Sequence, residues 1–367
     1  MKIAIVGTGI AGNVAAYVLR KDHDITVYEA ADYVGGHTNT VDVEEQGRTL
    51  AIDTGFIVFN DKTYPNFIRI LDEIGQPSQP SVMSFSVQAG SGKLEYCGTS
   101  LDTLFAQRGN LLRPSFHRMI RDILRFNRES PEAVERVPDE PLGLFLERNG
   151  YSEEFRDHYL VPMAAAIWSA EPVAVADMPL AFLVRFFGNH GLLQLKDRPQ
   201  WRVIKGGSRE YVTRLVEGHR ERIRLGTPVT SIRRSGDRVE VASAAGDVEL
   251  FDSVFIACHS DQALRLLSDA TKQEREILGA IQFQDNEAVL HTDVSLMPRR
   301  RKAWAAWNYH VPEIDTGHVS VTYHMNTLQS LDAQHDYLVT LNNTQSVSPD
   351  RIIRRVEYQH PVYTLDS

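Results

Sequence analysis

The sequence predicts an α/β protein in which a discontinuous Rossmann-like dinucleotide-binding domain is joined to a second, α+β substrate domain with a mainly antiparallel sheet. Three observations carry that expectation. A strand, a glycine turn, a helix and a second strand open the chain. Strand signals of a second nucleotide-fold piece return only from residue 223, after a long helical stretch. Alternating strands then fill the remainder.

Residues 3–6 form a short apolar run of buried-strand length, a helical stretch covers 12–20, and residues 25–28 are a β-branched strand ending at Glu29. Parallel pairing of two such strands requires a right-handed crossover. The next section, 63–200, reads as helical, with patches at 64–74, 101–108, 115–128 and 142–148 and breaks at Pro77, Pro80, Pro131, Pro138 and Pro141. Strands are expected at 229–233, 238–243, 248–251 and 254–257, then a helix at 273–281. Four further strands follow at 287–293, 304–310, 318–324 and 337–341. The implied division is a first nucleotide-fold piece at 1–62, a helical cap at 63–200, a second piece at 201–268 and a substrate sheet at 269–367.

With 367 residues the chain is long enough for about two domains, each with a core. A net charge of −9 argues against a general nucleic-acid binder. Cys97 and Cys258 lie far apart with no CxxC pairing, which fits a reducing cytoplasm and gives no disulfide framework or zinc site. Glycines at 7, 9 and 12 interrupt the amino-terminal apolar run, so a signal peptide is rejected, and no stretch has the length of a membrane span.

Gly7-Thr8-Gly9-Ile10-Ala11-Gly12 is the dinucleotide fingerprint in its required context, after a strand and opening a helix. Gly7 permits the tight turn, Gly9 lets backbone approach a pyrophosphate, and Gly12 lets helix and strand pack closely. The helix amino terminus offers free N–H groups to phosphate. Glu29, followed by Ala30, stands where a carboxylate accepts from ribose hydroxyls and repels a 2′-phosphate, which disfavours NADP. The fingerprint alone does not separate FAD from NAD. Gly35-Gly36-His37-Thr38 adds a flexible glycine loop placed to return toward the pyrophosphate.

With these motifs in hand, the sequence resembles the FAD-dependent amine oxidase and phytoene desaturase superfamily, whose signature is a GxGxxG, a Glu and a Gly-Gly-Arg loop. Here His37 stands in place of that Arg, and an imidazole is only fractionally charged near neutrality. Asp53-Thr54-Gly55-Phe56 is similar to the family's segment passing the flavin ring. Trp201-Arg202-Val203 with Gly206-Gly207-Ser208 resembles its Gly-Gly stretch leading into a helix, Val229 its adenine-holding strand position, and residues 254–257 the strand closing its nucleotide sheet. A closer resemblance is to bacterial FAD-dependent, amine-oxidase-like proteins, carried by residues 35–38, 53–60, 257–261 and 304–309. Such proteins are often encoded beside cyclopropane-fatty-acid-synthase-like methyltransferases, which implies lipid acyl chains as a substrate class. The family's final Gly-Asp segment, which covers the flavin, has no counterpart before Thr364-Leu365-Asp366-Ser367, so a carboxy-terminal truncation is expected.

The resemblance implies FAD as cofactor and an oxidase- or desaturase-type oxidoreductase that removes a hydride from an apolar or lipid-like substrate. The alternative is a non-catalytic flavin- or lipid-binding partner of a lipid methyltransferase, and a simple NAD dehydrogenase is a third option. No catalytic acid or base stands out. Trp307 and Tyr309 can share one strand face and line an apolar pocket, from which Trp304 is excluded by its odd spacing, although core packing explains both residues equally well. In the 115–128 helix, Phe116, Ile120, Ile123 and Leu124 fall on one side and Arg118, Arg121, Arg125 and Arg128 on another. Those arginines suit either a solvated face or a peripheral contact with anionic lipid at the inner side of the membrane. His291, His310, His318 and His324 have no metal-ligand spacing, and there is no GxSxG elbow or cysteine-nucleophile arrangement.

Overall fold

The computed structural model describes residues 1–90, 92–137, 140–168, 172–311 and 320–362. Pro138, His318 and the residues from Thr364 to Ser367, which figured in the expectations above, lie outside the described residues.

The chain begins with β1 (Lys2–Val6), α1 (Ile10–Leu19) and β2 (Asp24–Tyr28). A hairpin follows, β3 (Thr40–Glu45) and β4 (Arg48–Asp53), closed by Gln46 and Gly47, both at positive φ as a tight two-residue turn requires. Next come β5 (Val58–Asn60), α2 (Pro65–Glu73), β6 (Ser78–Pro80), β7 (Phe85–Ala89), β8 (Leu94–Cys97) and the short α3 (Leu101–Leu104). The helical section comprises α4 (Pro114–Arg136), α5 (Leu142–Arg148), α6 (Glu153–Phe155), α7 (Val161–Trp168), α8 (Pro172–Asp177) and α9 (Leu180–Asn189). After it come β9 (Trp201–Ile204), α10 (Arg209–Val216), β10 (Ile223–Arg224), β11 (Val229–Ser235), β12 (Arg238–Ser243), β13 (Val248–Phe251) and β14 (Ser253–Ile256). The remainder is α11 (Ser260–Leu266), α12 (Lys272–Ala280), β15 (Gln282–His291), β16 (Trp307–Val311), β17 (Ser320–His324), α13 (Met325–Gln329), β18 (Leu338–Leu341) and β19 (Ile352–Val362).

The α/β fold class is as the sequence predicts. A four-stranded parallel sheet runs β10-β2-β1-β14, so strands far apart in the chain share one nucleotide-type sheet. Ala4, Ile5 and Val27 are fully buried at its centre, which explains why β1 and β2 read as apolar runs and not as alternating strands. The seven-stranded sheet has the order β19-β15-β18-β17-β16-β7-β8 and is antiparallel except where β16 meets β7. Its apolar face packs on the helical section, with Phe126, Phe145, Phe155, Leu183 and Val321 in one cluster that forms the largest core.

Several local expectations change. The section read as helical contributes β6, β7 and β8, and two of these extend the large sheet. β7 buries Ser86 among apolar residues and is only five residues long, too little for its period to stand out. Helix α4 continues through Pro131 to Arg136, because packing of Phe126 and Val134 outweighs the one backbone hydrogen bond a proline forfeits. The buried face of α4 is Phe116, Met119, Phe126 and Val134, while Leu124 lies off that stripe and is half exposed. The helix expected over 101–108 stops at Leu104, and a second short helical turn covers Arg108–Leu112. β19 went unread because it is an edge strand studded with Arg354, Arg355 and Glu357, which removes the alternation. Trp304 precedes its strand, with its indole N–H donated to the Pro298 carbonyl at 2.7 Å.

Candidate functional site

The glycine fingerprint forms an open cradle. Gly7 has φ +100 and donates its N–H to the Tyr28 carbonyl at 2.8 Å. A Cβ on Gly12 would stand 1.9 Å from the Gly7 carbonyl oxygen, so only glycine lets α1 approach β1 this closely. Gly9 is different: its backbone is extended and a Cβ there would meet nothing within 4 Å. Ile10 and Ala11 are exposed at the start of α1, which has neither a side-chain cap nor an acidic residue in its first turn. Free N–H groups facing open space are what an anionic group requires.

Glu29 faces this loop. One carboxylate oxygen accepts from the Thr8 N–H at 2.8 Å and from the Thr8 hydroxyl, and the other accepts from the Ala31 N–H at 2.9 Å. Ala30 is exposed beside it, and Val229 lies nearly buried in the cluster that holds Tyr28. The second glycine loop folds back onto the first: Gly36, at φ +59, would place a Cβ 3.2 Å from the Gly9 Cα, and the Gly35 N–H points at the Thr8 hydroxyl at 3.4 Å.

From there the path leads to His37 and Thr38. The Phe56 N–H donates to the His37 carbonyl at 2.7 Å, and a Cβ on Gly55 would lie 2.1 Å from that same oxygen. Residues 54–56 therefore run directly against the loop. Thr38 pairs its hydroxyl with that of Tyr211 at 2.5 Å, and Phe56 packs edge-on against Phe67 with centroids 5.4 Å apart. The His37 ring is stacked on Tyr358 at 4.9 Å, with His360 at 5.6 Å and His259 at 6.0 Å. Burial holds His37 below the usual imidazole range, with His259 adding to the effect. Burial, with those two neighbouring imidazoles, lowers His360 to about 4. The Nε2 of His37 is buried without a hydrogen-bond partner.

Asp53 anchors the site from below. It is fully buried and accepts from the Thr40 hydroxyl at 2.6 Å, the Ser208 N–H at 2.8 Å, the Ser208 hydroxyl at 2.8 Å and the Gln329 amide at 3.2 Å. β4, the start of α10 and α13 are thus joined at one carboxylate. Burial raises its pKa to about 6 against the lowering effect of those hydrogen bonds.

Next to residues 54–58 lies a cavity of about 320 Å³, also bordered by Met163, Phe186, Trp307, Tyr323, Tyr358 and His360. Among the described residues that line it, none is Asp, Glu, Lys or Arg. Trp307 borders it, edge-on to Tyr323 at 5.0 Å. Tyr309, two residues farther along β16, is buried in the core and is not part of the wall. The strand carries both side chains to the same face, but only its first residue reaches the cavity.

The arginines of α4 are engaged within the chain. Arg118 pairs with Glu154, Arg121 lies 3.6 Å from Asp122, and Arg125 pairs with Glu129 at 2.9 Å while its guanidinium covers the Tyr151 ring at 4.4 Å. Among the described residues no group of three or more His, Cys, Asp or Glu could hold a metal ion. No described helix is long and apolar enough to cross a membrane.

Asp53 was readable only as part of a family-like segment, and Tyr358 and His360 carried no sequence signal. Their importance comes from β19 pairing with β15, which brings them beside a loop more than 300 residues away. The glycine cradle, the free helix end and the facing carboxylate fit an adenine dinucleotide pyrophosphate and ribose.

Comparison with known proteins agrees. Residues 10–289 match the model of the flavin containing amine oxidoreductase family. A Mycobacterium tuberculosis protein named as the flavin-containing monoamine oxidase AofH is 27% identical over 257 residues, covering 67% of this chain and 54% of that protein. The chain therefore spans about half the length of the curated relatives it matches. Cyclohexylamine oxidase from Brevibacterium oxydans superposes with a TM-score of 0.70 at 16% identity, over 100% of this chain and 89% of that one. A fatty acid isomerase from P. acnes does so at 0.66 and 17%, over 98% and 86%. The family match covers most of the sequence: this chain belongs to the flavin containing amine oxidoreductase family, whose cofactor is FAD.

Proposed function

We propose that the chain is an FAD-dependent oxidoreductase that removes a hydride from an apolar substrate, with lipid acyl chains as the substrate class. The observation that carries this reading is the aromatic cavity, with no Asp, Glu, Lys or Arg among its described lining residues, adjoining the residues that touch the His37 loop. A diamine would bring two ammonium groups into a space that offers no carboxylate among the described residues, at a large desolvation cost. An alkyl or cyclohexyl group would instead gain from leaving water, by roughly 25 cal/mol per Å² of apolar surface. The neighbours named as a cyclohexylamine oxidase and a fatty acid isomerase support an apolar substrate, and the second supports an acyl chain.

FAD, when bound, accepts the hydrogen together with its electron pair. The chain's own residues bind and orient. Trp307 and Tyr323 form a rigid edge-to-face wall, Phe56 is fixed by Phe67 and Tyr211, and the apolar lining excludes water from the C–H bond. His360, held neutral by burial, borders the cavity without adding charge.

Anaerobic mixing of the FAD-loaded full chain with fatty acids, cyclohexylamine or putrescine tests this reading. Bleaching of the flavin absorbance is expected with an acyl chain and not with putrescine. Bleaching by putrescine alone would overturn the apolar reading, and tight lipid binding without bleaching would favour a non-catalytic lipid-binding role.

The departure at His37 gives a second expectation. His37→Arg supplies a permanent charge beside the glycine loops and is expected to tighten FAD binding at pH 8 by about tenfold. Fluorescence titration measures it. Unchanged affinity would place the pyrophosphate elsewhere.

A further inference from the structure

One part of the surface belongs to neither the cradle nor the cavity. Leu112 is 89% exposed, Leu101 76% and Leu111 49%, an unusual display of large aliphatic side chains. They stand on a braced segment. The buried Asn110 donates its N–H to the Gln107 carbonyl at 2.9 Å, the His117 ring meets the Leu111 carbonyl at 2.8 Å, and Ser100 caps α3.

Two other pieces of chain join this segment. Arg108 and Lys302 both pair with Asp102, at 2.5 and 2.9 Å, which ties residues 101–108 to the loop at 299–302. Arg113 and Gln107 both donate to the Lys93 carbonyl, at 2.6 and 3.0 Å, which adds the turn between β7 and β8. The joined surface carries seven bases, Lys93, Arg108, Arg113, Arg299, Arg300, Arg301 and Lys302, against Glu95, Asp102 and Asp336, with which several of them pair, and Glu154, which shares a hollow with Lys93 and Arg113. Lys93, Arg113 and Arg299 form no side-chain ion pair among the described residues, although the Arg299 backbone N–H donates to Glu95 at 2.9 Å. This local excess of positive charge sits on a chain of net charge −9.

We propose that this surface docks on an anionic lipid bilayer, with Leu101, Leu111 and Leu112 entering the acyl region and the surrounding bases meeting the headgroups. Exposed aliphatic residues ringed by Lys and Arg have the chemistry of an interfacial anchor: apolar area leaves water while the cations sit in the negative surface potential. Charge complementarity selects anionic lipid over neutral lipid. The arginines of α4, which the sequence suggested for this role, pair with acids of the chain at the surface, whereas this adjoining surface adds exposed leucines to its bases.

Sedimentation of the full chain with phosphatidylglycerol-rich vesicles, against phosphatidylcholine vesicles, tests the proposal. Binding is expected to the anionic vesicles only, weakened at least about tenfold in Leu101→Ser/Leu112→Ser and again in Lys93→Glu/Arg299→Glu. All four residues lie at the surface, so melting curves of the variants should match the parent. Absence of binding to anionic vesicles, equal binding to both vesicle types, or binding insensitive to the leucine pair would each overturn it. Lipid-free self-association abolished by the leucine variant would also overturn it, because a second copy of the chain would then cover the patch.

Discussion

Gly9→Val should fold normally and lose FAD. The Gly9 backbone is extended, a conformation open to any residue, and its Cβ direction is empty to 4 Å. Its stability is expected to stay within about 0.5 kcal/mol of the parent, as for a substitution that touches nothing. The new side chain fills the space above the first N–H groups of α1, where backbone must approach phosphate. FAD affinity is expected to fall at least about 100-fold, or about 2.7 kcal/mol. Gly12→Ala should behave in the opposite way. Its Cβ would sit 1.9 Å from the Gly7 oxygen and 2.9 Å from the Gly7 carbon, both backbone atoms. Relief requires α1 to move off β1, at about 3 kcal/mol. Flavin fluorescence titration and urea unfolding separate the two effects. A Gly9→Val protein that binds FAD like the parent would remove the cradle from the site.

Asp53→Ala is expected to destabilise the fold by about 4 kcal/mol. It strands the Ser208 N–H, the hydroxyls of Ser208 and Thr40 and the Gln329 amide in the buried interior, and each unpaired group costs about 1–3 kcal/mol. Asp53→Asn keeps one carbonyl acceptor and should cost less. The same residue carries a pH signature. Its folded pKa, about 6, lies above the ordinary 3.8, so the folded state holds this proton more tightly than the unfolded chain. That contribution is complete below about pH 4 and lost as pH rises through about 6, a change on the order of 3 kcal/mol. The stability of the parent relative to Asp53→Asn should therefore decline between pH 4 and pH 7, measured by urea unfolding at each pH. A difference that does not vary with pH would mean that Asp53 is ionised throughout.

Residues that constrain their own backbone were readable in the sequence. Gly7, Gly35 and Gly36 take positive φ, a restriction each glycine carries in its own backbone, and Gly12 meets Gly7 only five residues away. The β1–α1–β2 unit was equally plain, because burial on both faces leaves unbroken apolar runs. The four strands from 229 to 257 were legible from their turns. By contrast β7 and β8 were hidden inside a helical section, since their place in the sheet comes from parallel pairing with β16 about 220 residues later.

From sequence alone came the fold class, the dinucleotide cradle and the flavoprotein family, because each rests on residue types whose effect is local: glycine freedom, a bare helix end, a carboxylate closing a strand. Tertiary structure alone decided which aromatic residue of β16 reaches the cavity, that Tyr358 and His360 lie against His37, and that Asp53 joins three elements. It also paired the α4 arginines with acids at the surface and left three leucines exposed beside a cluster of bases. These are contacts between distant parts of the chain, set by how sheets and helices pack, and no short window of sequence contains both partners.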